Sequence, residues 1–331
     1  MLWLTHLTPL AGKGFLSFLG AAYLGVNGLR RRSLDVSGAW GATLVGLGSL
    51  ASSFRAGVML VAFYTAGSAA TLIKSEVKAS LGEEYRQKDG RTIWQVLCNA
   101  GVPTVLAVLL ALSTGLLSGD VPFGWYGTST AAAAAAGGGG AARTVTGLLG
   151  GYLGYYACCC GDTLASELGV LSSETPRLIT TFRPVRKGTN GGVTFLGTGA
   201  SALGGLFMGL VFYFTGLVAP LSLGAHTLGT WAPTAAAVAG PGLAELAKRQ
   251  WWVIFLGLAM GLLGSCIDSV LGATLQFSGF DRKKNELVSR PGPDVVRIAG
   301  LPFLTNNMVN LVSATLTALV CAWICVGLVG V

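Results

Sequence analysis

The sequence predicts an all-α protein, a polytopic transmembrane helical bundle of about eight helices with an interfacial helix in one loop. Apolar residues make up 52% of the 331-residue chain and charged residues 11%. A soluble domain carries roughly 25% charged residues, so this chain has too little charge to solvate its own surface. Its charges are clustered, and between the clusters lie apolar windows of the ~20 residues needed to cross a hydrocarbon core. Fifty glycines suit helices whose backbones approach closely inside lipid. The whole chain, 1–331, reads as a single integral membrane domain.

The windows are 14–29, 36–54, 56–73, 92–119, 144–161, 188–244, 250–267 with an extension past Asp268, and 298–331. Lys13 interrupts the first apolar run and no convincing small-residue cleavage motif accompanies it, so this window is expected to be a retained helix rather than a signal peptide. Seven windows hold one helix each. The 57 residues of 188–244 have room for two, and the distribution of Lys and Arg decides the count. With one span at 192–217 and the N-terminus outside the cytosol, seventeen basic residues fall in cytosolic loops. Only Lys13, Arg55, Arg143, Lys248 and Arg249 fall elsewhere. A ninth helix between Leu223 and Ala244 would put Arg282, Lys283, Lys284, Arg290 and Arg297 on the wrong side. Residues 220–248, with Pro220, Pro233 and Pro241, are therefore expected to form a non-cytosolic loop or re-entrant hairpin. Both termini are then non-cytosolic, and the expected location is an endomembrane such as the endoplasmic reticulum.

Residues 120–143 are expected to form a low-complexity non-cytosolic loop around AAAAAAGGGG, too poor in large apolar groups to pack. Residues 74–91 mix both signs of charge and predict a short amphipathic helix on the membrane surface, with Lys74, Lys78 and Arg91 placed to reach phosphates. The net charge of +8 favours anionic lipids or phosphates as partners. No basic run alternates with exposed aromatics in a soluble module, which argues against nucleic acid. Seven cysteines sit in apolar stretches without a CxxC pair, so neither a disulfide framework nor a zinc site is expected. His6 and His226 have no partner at ligand spacing. The pairs Gly150/Gly154, Gly205/Gly209 and Gly257/Gly261 read as packing within the chain rather than as a dimerisation motif.

On this topology the polar residues of the spans gather in the cytosolic half: Asp35 and Ser37, Thr71 and Lys74, Gln95 and Asn99, residues 162–167, Thr189 and Asn190, Asp268 and Gln276, and Asn306, Asn307 and Asn310. A charged side chain at the centre of a membrane helix costs roughly 2.5–3.5 kcal/mol, so such a cluster points to a site. In GDTLASE, helical spacing puts Asp162 and Ser166 on one face and Thr163 and Glu167 on the next. Carboxylates and hydroxyls of this kind suit Mg²⁺, which takes one or two carboxylates plus phosphate oxygens and water. The competing reading pairs Glu167 with a loop Arg. In RKGTNGG, Gly188, Gly191 and Gly192 free the backbone to turn amides toward an anion, Thr189 or Asn190 caps the following helix, and Arg186 and Lys187 add charge. The spacing is not that of a P-loop. Asp268 is expected to hold a second metal or to orient an acceptor. The three asparagines serve a nucleotide or hold helices together, and the sequence leaves both readings open.

Three segments, EEYRQKDGRTIWQVLCNAGVPT, GDTLASELGVLSSETPRLITTFRPVRKGTNGGVTFLG and VLGATLQFSGFD, together with SGAW near the start, resemble the transmembrane protein 19 family, membrane proteins formerly grouped as a domain of unknown function. Plant members of that family include phytyl-phosphate kinase, thought to use CTP. The resemblance implies a phosphotransferase that converts an isoprenyl monophosphate to its diphosphate at the cytosolic face, with Mg²⁺ and CTP. On the residues above, Asp162, Glu167 and Asp268 would be catalytic and metal-binding. Arg186, Lys187, Gly188, Thr189, Asn190, Gly191, Gly192, Asn306, Asn307, Asn310, Lys74 and Arg91 would bind nucleotide and phosphate. The alternative is a lipid or small-solute transporter or scramblase without nucleotide chemistry, which predicts polar groups through the whole bilayer depth.

Overall fold

The computed structural model describes residues 2–79, 90–114, 119–125, 139–227 and 241–330. Helices α1 (Leu2–Arg30), α2 (Val36–Ser52) and α3 (Phe54–Leu72) lead to a short helix α4 (Ser75–Ala79) and then to α5 (Ile93–Ser113). After these come α6 (Gly139–Gly169), α7 (Phe195–Thr227), the short α8 (Pro241–Lys248), α9 (Val253–Leu275) and α10 (Asn306–Val329). Among the described residues, eight long helices form the bundle that the composition requires. Four of them, α5, the Phe195–Val218 part of α7, α9 and α10, are long and apolar enough to cross a membrane by length and composition alone.

Helix α6 explains why hydropathy does not single out every member of the bundle. It packs against α3, α5, α7, α9 and α10, and its residues from Leu149 to Gly161 are all buried. A helix shielded by protein on every side meets no lipid, so glycine, tyrosine and cysteine serve where leucine would otherwise be needed. Glycine sets the spacing of its neighbours. A Cβ on Gly205 of α7 would lie 2.2 Å from the Gly257 carbonyl oxygen of α9, and one on Gly154 of α6 would lie 2.5 Å from Cys321 Cβ of α10. The small-residue pairs thus pack helices of this chain against one another.

Hydrogen bonds between loops divide the bundle into two ends. At one end the Asp35 amide donates to the Arg91 carbonyl (3.1 Å), Lys78 reaches Glu167, and the Asn190 amide donates to the Ser278 hydroxyl (3.0 Å). At the other, Asp120 accepts the amides of Phe54 (2.8 Å) and Arg55 (3.0 Å). There too the Gly124 amide donates to Thr146 (2.9 Å), and the Gln250 side chain exchanges hydrogen bonds with the Phe123 backbone. The chain alternates between these ends with each long helix.

Several boundaries differ from the expectation. Helix α1 runs through Lys13, whose ammonium, half-buried, interacts with Asp120. Helix α6 starts at Gly139, inside the region expected to be loop, and continues beyond Gly161 to Gly169, so all of GDTLASE is helical. Helix α7 starts at Phe195 and runs through Pro220 to Thr227, and α8 occupies Pro241–Lys248. Both ends of the expected 220–248 loop are therefore helical, while 228–240 lies outside the described residues, as do 126–138 of the low-complexity stretch and 80–89 of the interfacial loop. Within that last loop, α4 supplies a single short helix.

Among the described residues, two small sheets join the helices. Strands β1 (Arg177–Leu178) and β2 (Gly192–Val193) pair antiparallel. Strands β3 (Ser278–Asp281), β4 (Glu286–Val288) and β5 (Val295–Ala299) form an antiparallel sheet of order β4-β3-β5. Phe280 faces Leu287 on one side and Val296 on the other. Strands of three to five residues set among Lys and Arg carry too little alternation to stand out from a charged loop.

Candidate functional site

A cavity of about 630 Å³ lies at the end of the bundle that holds α4 and both sheets. One wall is apolar: Leu24 of α1, Ala42 and Val45 of α2, Leu60, Val61 and Phe63 of α3, and Val96 and Ala100 of α5. The rest of the lining is more polar, with Asp162, Thr163, Ser166 and Glu167 of α6, the turn at 188–194, Ser201 of α7, Ser265, Asp268, Ser269 and Gln276 of α9, and Asn306, Asn307 and Asn310 of α10. Arg91, Gln95 and Asn99 also line the cavity, on the segment that enters α5 and on its first turns.

Asp162 and Asp268 stand on neighbouring helices, close enough for their charges to repel one another. Each is oriented by a serine from another helix: Ser265 donates to Asp162 Oδ1 (3.4 Å) and Ser313 to Asp268 Oδ2 (2.9 Å). Among the described residues no hydrogen bond reaches the second oxygen of either carboxylate. Glu167 differs. Thr71 donates to its Oε1 (2.9 Å) and the Lys78 ammonium to its Oε2. Both its oxygens are thus engaged, and its ion pair is with a lysine of α4 rather than with the loop Arg of the competing reading. Arg91 donates to Ser68 (3.1 Å) and Thr71 (3.3 Å), which aims its guanidinium along the same cavity. Among the described residues no group of three or more His, Cys, Asp or Glu side chains gathers as a metal cage.

The glycine-rich turn is built differently from an open anion cradle. The Thr189 amide donates to Arg186 O (3.1 Å) and the Gly192 amide to Thr189 O (3.0 Å), while the Asn190 amide goes to Ser278. These amides are used within the fold. Gly188 and Gly191 have positive φ, +87° and +74°, and a Cβ on Gly191 would fall 2.5 Å from the Ser269 carbonyl oxygen. Glycine is required there so that the turn can lie against α9. The turn leads into β2, not directly into a helix; α7 begins later, with Thr194 accepting the Gly197 amide (3.0 Å) and Glu174 accepting that of Phe195 (3.2 Å). The expected helix N-terminus is therefore three to six residues downstream and already capped.

Residues 19–318 match the model of a family described as "Integral membrane protein DUF92". The chain belongs to this family. It is 40% identical over 289 residues to "Protein PGR" of Arabidopsis thaliana, covering 87% of this chain and 88% of that protein. It is 30% identical over 266 residues to "Uncharacterized membrane protein MJ0933" of Methanocaldococcus jannaschii, covering 80% and 84%. With "Protein VTE6, chloroplastic" of Arabidopsis thaliana it shares 28% identity over 188 residues, 56% of this chain and 49% of that one. No solved structure matches.

In this member of the family the cavity gathers Asp162, Glu167, Asp268, Gly188, Thr189, Asn190, Gly191, Gly192, Asn306, Asn307, Asn310 and Arg91. Three expected phosphate ligands do not line it. Arg186 stacks its guanidinium on the Phe280 ring at 3.8 Å, Lys187 donates to the Ser172 carbonyl, and Lys74 is exposed at the α3–α4 junction with a φ of +47°. Arg186 and Lys187 thus have structural uses outside the cavity. The sequence reading also passed over Ser265 and Ser313. Ser265 precedes Asp268 by three residues and Ser313 follows Asn310 by three, spacings that share a helix face with residues already singled out. One further observation stands out in the polar wall. The Thr189 side chain is 5% exposed, and its hydroxyl has no hydrogen-bond partner among the described residues.

Proposed function

We propose that this protein transfers a phosphoryl group from a nucleoside triphosphate to an isoprenyl monophosphate at the cytosolic face of an endomembrane. The observation that carries this reading is one cavity with two unlike walls: one suits a hydrocarbon tail, and the other holds paired carboxylates and a buried hydroxyl without a partner among the described residues. The resemblance to the transmembrane protein 19 family supports CTP as the donor. An oxygen of the monophosphate attacks the γ-phosphorus, and the bond from that phosphorus to the β–γ bridging oxygen breaks. The products are the prenyl diphosphate and a nucleoside diphosphate. Such transfers need positioning and charge stabilisation more than covalent help from the protein.

The donor set suits Mg²⁺, which takes one or two carboxylates and fills its remaining positions with phosphate oxygens and water. Asp162 and Asp268 would hold it through the oxygens that their serines leave open. When bound, the ion neutralises charge that develops on the phosphates. Arg91 faces the same anions, Thr189 donates its hydroxyl to a phosphate oxygen, and Asn307 and Asn310 offer amides to the nucleotide. Glu167 fixes α3 and α4 to α6 through Thr71 and Lys78. The transport reading would need the cavity to continue across the bundle. Beyond Leu60 lie Met59, Ala107 and Leu110, all buried in one core cluster, which favours chemistry over passage.

Purified protein supplied with Mg²⁺, labelled CTP and phytyl or geranylgeranyl phosphate should form the diphosphate, and Asp162→Asn should abolish it. Full activity in that variant removes the metal assignment. Absence of product with every prenyl phosphate overturns the function.

A further inference from the structure

The apolar arm of the cavity reaches deeper into the bundle than the polar arm. Leu60 lies twelve residues from the C-terminal end of α3, about 18 Å along the axis at 1.5 Å per residue. Val45 lies nine residues into α2, about 14 Å. Asp162, on the polar wall, is seven residues from the end of α6, about 11 Å. Contacts between helices set a common level: the Cys159 thiol approaches the Asn99 carbonyl (3.8 Å), the Thr104 hydroxyl the Val45 carbonyl (3.5 Å) and the Tyr152 hydroxyl the Ala56 carbonyl (3.1 Å). Ala100, Val45 and Leu60 thus lie deeper in the bundle than Asp162, and a phosphate held beside Asp162 leaves an apolar slot below it, toward the middle of a hydrocarbon core ~30 Å thick.

The slot has a floor. Val45, Leu60 and Ala100 come from three different helices, are 3%, 7% and 3% exposed, and all line the cavity. They continue without interruption into a packed cluster that includes Ala56, Met59 and Ala107. Interiors packed to this density admit no further methylene unless a side chain moves. The seam above the floor runs between α3 and α5, which pack only lightly on one another.

We propose that Val45, Leu60 and Ala100 set the longest tail that the site accepts, a proposal that rests on the prenyl-phosphate reading above. Ala100 is the smallest of the three, so enlarging it shortens the slot. Leu60 is the largest, so truncating it lengthens the slot.

The test is direct binding of geranyl, farnesyl, geranylgeranyl and hexaprenyl monophosphates to full-length protein in nanodiscs, without nucleotide, for the wild type, Ala100→Leu, Val45→Ile and Leu60→Ala. A side-chain change of one or a few methylenes should alter the affinity of a tail that reaches it by about tenfold or more. Ala100→Leu and Val45→Ile should weaken the longest tail bound by the wild type while leaving the shortest little changed. Leu60→Ala should shift the preference toward longer tails. A rank order of tails unchanged in all three variants, or a uniform loss at every length, overturns the proposal while the prenyl-phosphate reading stands. Failure of the wild type to retain any of the four overturns both.

Discussion

Replacing Thr189 by valine separates ligand binding from folding more cleanly than any other change in the cavity. The side chain is 5% exposed and its hydroxyl has no partner among the described residues. Leaving a buried hydroxyl unsatisfied costs about 1–3 kcal/mol, so a valine of nearly the same volume should leave the unliganded protein as stable or raise its stability by up to that amount. The same hydroxyl, placed against a phosphate oxygen, makes a hydrogen bond to a charged group worth about 1.5–3 kcal/mol, or about 10- to 150-fold in affinity. Stability and binding should therefore move in opposite directions. Thermal unfolding of the unliganded protein in detergent reads the first quantity, and titration with Mg²⁺ and CTP or with prenyl phosphate reads the second. Thr189→Ser keeps the hydroxyl and should keep the affinity. If Thr189→Val is destabilised by more than about 1 kcal/mol while binding is unchanged, the hydroxyl is satisfied within the fold and the reasoning fails.

Lys78→Met should destabilise the protein, because the Lys78 and Glu167 side chains are only 3% and 20% exposed. Breaking a buried pair costs about 3–5 kcal/mol. The Thr71 bond and the residual exposure of Glu167 put this case near 3 kcal/mol, roughly the lower limit of that range. Glu167→Gln in the same chain should recover part of the loss in thermal unfolding, and no recovery would show that the ion pair is not the cause. Gly205→Ala should cost about 1–3 kcal/mol or more through overpacking, since its Cβ would meet the Gly257 oxygen at 2.2 Å, whereas Gly199→Ala, with nothing within 4 Å, should be neutral or stabilising. Equal melting temperatures for the two would refute the close approach of α7 and α9. The Asp35 carboxyl is held below the usual carboxylate range, first by the Gly38 amide and then by the Ser37 hydroxyl. A depressed value contributes stability above the unfolded pKa and loses it as pH falls through the folded one. Asp35→Ala should thus melt earlier than wild type at neutral pH, with the gap narrowing below about pH 3.9; a gap that stays constant into strong acid would contradict this.

The eight long helices among the described residues were legible because charge clusters punctuate the chain, and helices such as α9 and α10 keep long apolar stretches between them. The polar cluster was legible for a related reason: each ionisable group in an apolar span is costly enough to be conspicuous. Helix boundaries were not. The sequence reading ended the fifth span at Gly161 because Asp162 and Glu167 follow, yet α6 runs on to Gly169, since those acids face a cavity and a lysine rather than lipid. Arg186 and Lys187 were misplaced because sequence gives charge and proximity along the chain but not direction. Phe280 and the Ser172 carbonyl, which turn them out of the cavity, are ninety-four residues downstream and fifteen upstream. At the far end, Arg55 was read as a loop charge. It is 3% exposed, lies over the Phe212 ring at 4.5 Å, and leaves Nε and Nη1 without partners among the described residues.

The displacement of Arg186 and Lys187 changes the electrostatic logic of the site. With both in the cavity, two phosphorylated substrates would have met enough positive charge from the protein alone. Without them the described lining offers Arg91 against Asp162 and Asp268, because Glu167 is already balanced by Lys78. Carboxylates on adjacent helices repel each other and repel phosphate, and low-dielectric surroundings strengthen both effects. A divalent cation reverses the sign of that local field. Under the proposed function, phosphate binding on this wall would therefore depend on the cation in a way that a lysine-lined cradle would not. That condition gives the carboxylates a reason to be buried that neither a scaffold nor a purely hydrophobic lipid site supplies.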